Sequence, residues 1–334
     1  MTALQELQQA ADVLLGSERT VIFTHRRPDG DALGSSFGLK YFLESLGKSA
    51  DVFIPDPIPH RHTKLFSGHL DHLEKETMEK YDTIVSVDCA NPERLGAPEF
   101  LTVELLRTKR FINIDHHRGN SIASGFFNLV SPESASCSEL LVNIITASEA
   151  SLPEKCATPF LTGMMTDTGC FRFSNTDGDT MRTAAVLLEK GAELERIVNA
   201  VFFSKPLSQV RFENELMSRH LKLAADGRIA YAMIPEELTR KYDFNIKEDE
   251  GLIDLFREID GVIIAMLIYQ GSDGKIKLSM RSKDGNYPVG PVARCFGGGG
   301  HDMAAGATVD TADPAEAEAQ ILPALCRLFP ETTL

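Results

Sequence analysis

Short apolar runs alternate with stretches of helical periodicity through the first half of the chain. "RTVIFTH", "SADVFIP", "YDTIVSVDCA" and "KRFINIDHH" are β-branched and apolar, as strands buried on both faces are. Between the first two lies "DALGSSFGLKYFLESLG". Its Leu33, Phe37 and Tyr41 share one helical stripe, and Gly47 suits the position after the last turn. Helices are expected again over "SASCSELLVNIITASEA", "PEKCATPFLTGMMTDTG" and "GDTMRTAAVLLEKG". Strands alternating with helices predict an α/β fold, with a mainly parallel sheet flanked by helices on both faces.

The pattern changes after "ELERIVNAVFFSKPLSQVRF", a helical stretch interrupted by Pro206. Beyond it, "GRIAYAMIP", "GVIIAMLIYQ" and "KIKLSMRSK" read as strands, the last two joined by the hairpin signal "GSDG". In "KIKLSMRSK", Ile276, Leu278 and Met280 alternate with Lys277, Ser279 and Arg281. One face is core and the other is expected to present Arg281 to an opening. The helix "PAEAEAQILPALCRLF" closes the chain. This gives a domain over 1–190, a helical linker over 191–215 and a smaller α/β domain over 216–334.

The chain's 334 residues are ample for two domains. With 34 basic against 48 acidic residues, its net charge of −14 argues against non-specific binding to long nucleic acid. A small anionic substrate stays open, because metal ions can invert the field inside one cleft. The six cysteines are scattered without a C-x-x-C pair and read as reduced, mostly buried packing residues. "MTALQELQQAADVLL" reads as an acidic amphipathic helix rather than a secretory leader. "VIIAMLIYQ" is too short to span a bilayer. A cytoplasmic protein is the expectation.

Acids and histidines gather where strands end. His25, Asp29 and Asp31 follow the first strand in "THRRPDGDALG". Asp88 ends the third in "SVDCAN", and Asp115, His116 and His117 end the fourth in "NIDHH". Asp167 ends a helical stretch in "MMTDTG". In an open α/β sheet the carboxyl ends of the strands open onto one crevice. Carboxylates packed together repel and raise one another's pKa unless cations join them. Carboxylate and imidazole donors without thiolates suit Mn²⁺ or Mg²⁺, with ligands enough for two ions sharing a bridging carboxylate. Two such ions form a clamp for phosphoryl displacement by an activated water. One of the paired histidines then ligates, while its neighbour faces the phosphate or supports the ligands. Taken singly, each stretch has a plainer reading: "HRRPDGD" as a turn with Asp31 capping a helix, "DHH" as a surface turn. Their shared placement carries the joint reading. His60, His62, His69, His72 and His220 lie in polar stretches and are read as solvated.

"FGGGGHDMAAGA" is the other informative stretch. Consecutive glycines are costly, and make sense where backbone N–H groups approach an anion closely. His301 follows at once and suits a phosphate or a base. Arg281 is a natural bidentate partner for a phosphate.

"HRRPDGD", "VDCAN", "IDHH", "MTDTGCFRF", "SMRSKDG" and "FGGGGHDMAAGA", in this order along the whole chain, resemble the DHH/DHHA1 phosphoesterases. The compact length is similar to the stand-alone, NrnA-like branch of oligoribonucleases and pAp phosphatases. The resemblance implies an N-terminal DHH domain and a C-terminal DHHA1 domain around a cleft. It implies two Mn²⁺ ions, with Mg²⁺ or Co²⁺ as substitutes. His25, Asp29 and Asp88 would hold one ion; Asp31, Asp88, His116 and Asp167 the other. Asp115 would orient a ligating histidine, and His117 would approach the scissile phosphate. Asp88, Asp115, His116 and His117 form the implied catalytic set. Arg281, Ser282, Gly297, Gly298, Gly299, Gly300 and His301 would grip the substrate.

The implied activity is hydrolysis of short RNA (two to five nucleotides) to mononucleotides, with 3′-phosphatase activity on pAp. The implied partners are those small substrates and a second copy in a homodimer, with "VIIAMLIYQ" or the helix before it at the interface. Long duplex nucleic acid and membranes are not expected partners. Relatives cutting cyclic-di-AMP or linear pApA share every motif. A RecJ-like single-strand exonuclease fits the charge less well and leaves no sequence for an OB domain. A family II pyrophosphatase would lack "GGGGH", and a non-catalytic nucleotide binder would not need every ligand.

Overall fold

The β-branched runs of the first half form a parallel sheet. The computed structural model describes residues 3–122, 127–246, 251–271 and 273–329, divided into two units at Ser204 and Lys205. In the first unit, α1 (Ala3–Leu15), β1 (Arg19–Phe23), α2 (Gly30–Ser45) and β2 (Ser49–Phe53) come in turn. The one-turn helix α3 (Lys75–Met78) precedes β3 (Thr83–Val87), and α4 (Val103–Leu106) precedes β4 (Arg110–Asp115). Then follow β5 (Phe127–Val130), α5 (Cys137–Ala147), α6 (Glu154–Asp167), α7 (Gly178–Glu189), α8 (Leu194–Ile197) and a π-helical turn at Val198–Phe202. The strand order is β2-β1-β3-β4-β5, and every pair is parallel. The sequence reading missed β5. It is a four-residue edge strand with Asn128 exposed and only Leu129 fully buried, so it carries little apolar signal.

Both faces of the sheet are covered, but not alike. Ile22, Val52, Val85, Ile112 and Ile114 pack beneath α1, α2, α5 and α6. Val21, Phe23, Phe53, Ile84 and Phe111 are covered instead by loops and the one-turn helices, through Leu73, Met78 and Leu105. Among the described residues, full-length helices therefore lie on one face only. The stripe read on α2 also understates its burial, since every residue from Gly30 to Leu39 is buried. A Cβ on Gly34 would lie 2.5 Å from the Pro159 carbonyl oxygen, and one on Gly38 would lie 2.3 Å from the Phe160 ring. These glycines let α2 and α6 pack backbone to backbone, which sets the N-terminus of one beside the C-terminus of the other. His62, read as solvated, is fully buried with its ring against Phe66.

The second unit contains α9 (Leu207–Arg219), β6 (Lys222–Ala224), β7 (Ile229–Met233), α10 (Glu236–Tyr242) and α11 (Asp254–Arg257). β8 (Ile264–Gln270), β9 (Ile276–Ser282), α12 (Gly290–Cys295), β10 (Gly299–His301), β11 (Ala304–Val309) and α13 (Pro314–Cys326) complete it. Its sheet runs β10-β11-β9-β8-β7-β6, with only β7 and β8 parallel. Ile264, Met266, Ile276, Leu278 and Met280 pack on one face with Val292, Ile321 and Leu325. Ala265 and Leu267 pack on the other with Phe212, Leu238 and Phe256. The expected β9 alternation is present, with Ile276, Leu278 and Met280 buried. β8 is a central, buried strand, so "VIIAMLIYQ" cannot serve as a dimer surface.

Residues 191–215 do not stand apart as a linker. Ile197, Ala200 and Val201 belong to the first core, whereas Phe212 and Leu216 of α9, which begins after Pro206, belong to the second unit. Among the described residues no helix is long and apolar enough to cross a membrane.

Candidate metal centre

Backbone amides hold two of the acidic side chains, Asp29 and Asp31. Asp29, not Asp31, caps α2: its Oδ1 accepts from the amides of Asp31 (3.1 Å) and Ala32 (3.0 Å). Its Oδ2 faces His25 Nε2 at 3.5 Å. Asp31, fully buried, points from the first turn of α2 at the start of α5. Its two oxygens accept from the amides of Cys137 (2.6 Å) and Ser138 (3.0 Å). Asp88 follows β3 directly, with a left-handed φ of 52° that costs a non-glycine residue. Its amide donates to the Ile114 carbonyl, which carries it across to β4. Asp167 ends α6.

Three imidazoles complete the set. In each, Nδ1 is engaged: by the Arg26 carbonyl in His25 (2.9 Å), by the Ser134 carbonyl in His116 (3.3 Å) and by Asp115 Oδ1 in His117 (2.8 Å). For His25 and His116 this turns Nε2 inward as the ligating atom. His25 Nε2 lies 3.6 Å from Asp88 Oδ2; His116 Nε2 lies 3.5 Å from Asp88 Oδ1 and 3.1 Å from Asp167 Oδ2. Three groups result, each with ligand atoms within 4.8 Å: His25, Asp29 and Asp88; Asp31, His116 and Asp167; and Asp88, His116 and His117.

The structure thus brings together every acid and histidine that the sequence assigned to this centre. It corrects one role. Asp115 orients His117, not the histidine expected to ligate, because the peptide turn after β4 aims His116 at Ser134. Asn120 was missed. It donates to Asp115 Oδ2 and, at 3.0 Å, to the Cys89 carbonyl, so it braces the Asp115–His117 pair. Its place in "DHHRGN" was in view, but nothing in a single sequence says that this turn folds back.

The electrostatics describe a site built around cations. Burial, then repulsion from Asp88 and Asp167, holds the Asp31 carboxyl well above its ordinary range. Burial pushes Asp167 up to about 6, despite His116 beside it. For Asp88 burial works the same way, but the histidines on both sides outweigh it and its pKa falls. Burial opposes protonation of His25 and His116, yet their carboxylate neighbours raise both well above ordinary histidine. Asp88 Oδ1 and His116 Nε2 are buried and make no hydrogen bond among the described residues. Burial raises the thiol pKa of Cys89 and Cys137, so neither offers a thiolate. Hard, oxygen-rich donors, orphaned buried ligand atoms and carboxylates that repel one another fit divalent metal ions.

The residues expected to grip substrate lie in the second unit. Arg281 is half-buried on the face of β9 shared with Ala265 and Leu267, so it does not open freely to solvent. Burial lowers its pKa, and its Nη1 donates to the Met280 carbonyl. Ser282 is buried and its hydroxyl is tied to the Asp284 backbone, so it holds a turn and is not presented to a ligand. The last two glycines of the run, Gly299 and Gly300, open the edge strand β10, with His301 exposed. A Cβ on Gly298 would strike the Gly306 carbonyl oxygen at 2.1 Å, and Gly300 has φ 126°, so close pairing with β11 accounts for both. Gly297 has φ 68°, and a Cβ on Gly299 would meet nothing within 4 Å.

A parallel α/β unit with this acid and imidazole centre at its strand ends is the frame of a metal-dependent phosphoesterase. The "DHH family, N-terminal domain" matches residues 19–165 and the "DHHA1 domain" matches residues 226–329. The chain belongs to the DHH family. It is 32% identical to the bifunctional oligoribonuclease and PAP phosphatase NrnA of Thermus thermophilus, over 96% of this chain and 94% of that one. Identity to the protein of the same name from Bacillus subtilis is 28%, over 92% and 94%. Among solved structures, an exopolyphosphatase-related protein from Bacteroides fragilis is similar with a TM-score of 0.86 and 26% identity, covering 98% of each chain.

Proposed function

We propose that this chain hydrolyses short RNA oligonucleotides to mononucleotides and removes the 3′-phosphate of pAp. The observation that carries the reading is the division of Asp88. Its Oδ2 faces His25 and its Oδ1 faces His116, so one carboxylate serves two ligand groups. Similarity to the Thermus NrnA over nearly the whole of both chains supports the substrate class.

His25, Asp29 and Asp88 would hold one divalent ion; Asp31, Asp88, His116 and Asp167 would hold the other. We assign manganese, with Mg²⁺ or Co²⁺ as substitutes, from the hardness of the donors. Such ions supply Lewis acidity that activates water and neutralises charge building on a phosphate. The chain's own residues position the reactants. Asp115, braced by Asn120, fixes the His117 ring through Nδ1, and that ring would approach a phosphate oxygen. The amides at the start of α5 hold Asp31 in place. Arg281, the Gly297–Gly300 run and His301 would bind the far end of the substrate.

The test is a Mn²⁺-supplemented hydrolysis panel: a 5′-phosphorylated RNA dinucleotide, pAp, cyclic-di-AMP and a long single strand of DNA. Preference for the dinucleotide, with pAp also cleaved, is expected. Preference for cyclic-di-AMP or for the long strand would overturn the substrate assignment, and hydrolysis of none would overturn the activity.

A further inference from the structure

We infer that Asn175 is a positioning residue of the metal centre. Its side-chain amide ties Asp167 to the segment that holds His116 and Asp31, and so sets the width of that ion site. The inference rests on the metal-dependent phosphodiesterase reading above. Asp31, His116 and Asp167 come from three separate parts of the first unit and must close around one ion. Two of them lean on a single stretch, the connection from β5 to α5. The Ser134 carbonyl engages His116 Nδ1 (3.3 Å), and the amides of Cys137 and Ser138 hold Asp31 (2.6 and 3.0 Å). The third ligand, Asp167, ends α6 and needs a tie to that stretch.

Asn175 supplies it. Its Nδ2 donates to the Ala135 carbonyl (3.0 Å) and to the Asp167 carbonyl (3.2 Å). Both partners are carbonyl oxygens, which only accept, so the amide is oriented by its two N–H bonds. The Asp167 carbonyl lies in the last turn of α6, where intrahelical donors run out. Ala135 is buried, and its backbone groups need partners. Glu139 Oε2 accepts from its amide (2.6 Å), while the Glu139 amide donates to Ser136 Oγ (3.0 Å). Asn175 takes the carbonyl, so the stretch is held from α5 on one side and from the end of α6 on the other.

The backbone bends sharply to bring Asn175 back to Asp167. Gly169, Cys170 and Phe171 are left-handed in succession, with φ 56°, 60° and 62°, a costly run for the two that carry side chains. The amides of Arg172 and Phe173 both donate to the Thr168 carbonyl (2.9 and 3.0 Å). A Cβ on Gly169 would lie 2.3 Å from the Phe173 ring. Asn175 itself is exposed. A strained turn that seats an exposed asparagine on the backbone of a metal ligand serves the site rather than the core.

The test reads each ion separately, by manganese-edge anomalous diffraction from crystals equilibrated at a series of Mn²⁺ concentrations. It compares the intact protein with Asn175→Ala and with the isosteric Asn175→Asp, which cannot donate when ionised. The Mn²⁺ needed to half-fill the site beside Asp167 should rise about tenfold in both variants, and that for the site beside His25 and Asp29 less than about twofold. In solution, the Mn²⁺ concentration for half-maximal hydrolysis of a 5′-phosphorylated RNA dinucleotide should rise by the same factor, with KM for the dinucleotide unchanged. Asp177→Ala is the control: it removes the cap of α7 two residues away without touching either carbonyl, and should leave both occupancies as they are. Equal weakening of both sites, no weakening, or the same effect from Asp177→Ala would overturn the role of Asn175. An intact protein that binds both ions but hydrolyses neither the dinucleotide nor pAp would overturn the phosphodiesterase reading, while the occupancies still decide the role of Asn175.

Discussion

The residue on which most depends is Asp88. It sits at a left-handed φ, buried, with one oxygen toward each ligand group. Asp88→Ala should abolish Mn²⁺-dependent turnover. Asp88→Gly should be just as inactive but more stable than Asp88→Ala by about 1 kcal/mol, because glycine accepts this backbone. Activity assays with thermal unfolding check both. Asn120→Ala should lower kcat roughly 10- to 100-fold with little change in KM, since it frees Asp115 and His117 without touching a ligand. Steady-state kinetics decide it, and an unchanged kcat would remove Asn120 from the account. Protons compete with metal here. His25 and His116 have raised pKa values and Asp167 is pushed up to about 6, so metal binding must displace protons that the metal-free site holds. Mn²⁺ affinity should therefore rise from pH 6 to pH 8, with proton uptake by the buffer visible in calorimetry. The clustering of these acids and histidines was legible in sequence because strand ends converge in this fold class. Asn120 and the true capping role of Asp29 were not, because each depends on how a turn closes.

Among the elements, α2 and α6 decide whether the carboxylates meet. A Cβ on Gly163 of α6 would lie 2.0 Å from Ser138 Oγ and 2.4 Å from Asp31 Oδ1. Gly163→Ala should therefore displace Asp31, destabilise the protein by about 1–3 kcal/mol and weaken metal binding together. Gly47, with φ 76° and nothing near its Cβ position, is the control: Gly47→Ala should cost only backbone strain, about 1 kcal/mol, and spare the metal. Thermal melts with Mn²⁺ titration separate the two. The helices and four of the five parallel strands were legible from periodicity. β5 was hidden by its brevity, and the all-round burial of α2 by the glycines, which read as weak helix formers but are what its packing requires.

At the scale of the molecule, all six proposed metal ligands lie in residues 1–204, and Arg281, the glycine run and His301 lie in residues 205–334. The sequence reading placed a helical linker over 191–215, and the division between Ser204 and Lys205 falls inside that stretch. The broad linker did not survive, because its apolar residues belong to one core or the other. Residues 1–204 alone should keep Mn²⁺ binding, measured by calorimetry, while losing the share of the preference for oligonucleotides over bis(p-nitrophenyl) phosphate that Arg281, the glycine run and His301 would supply. The central claim is that one carboxylate joins two ion sites. Anomalous diffraction at the manganese edge from Mn²⁺-loaded crystals tests it most directly. Two peaks are predicted, one beside His25 and Asp29 and one beside Asp31, His116 and Asp167, with Asp88 touching both. A single peak, or two peaks without Asp88 between them, would contradict the account.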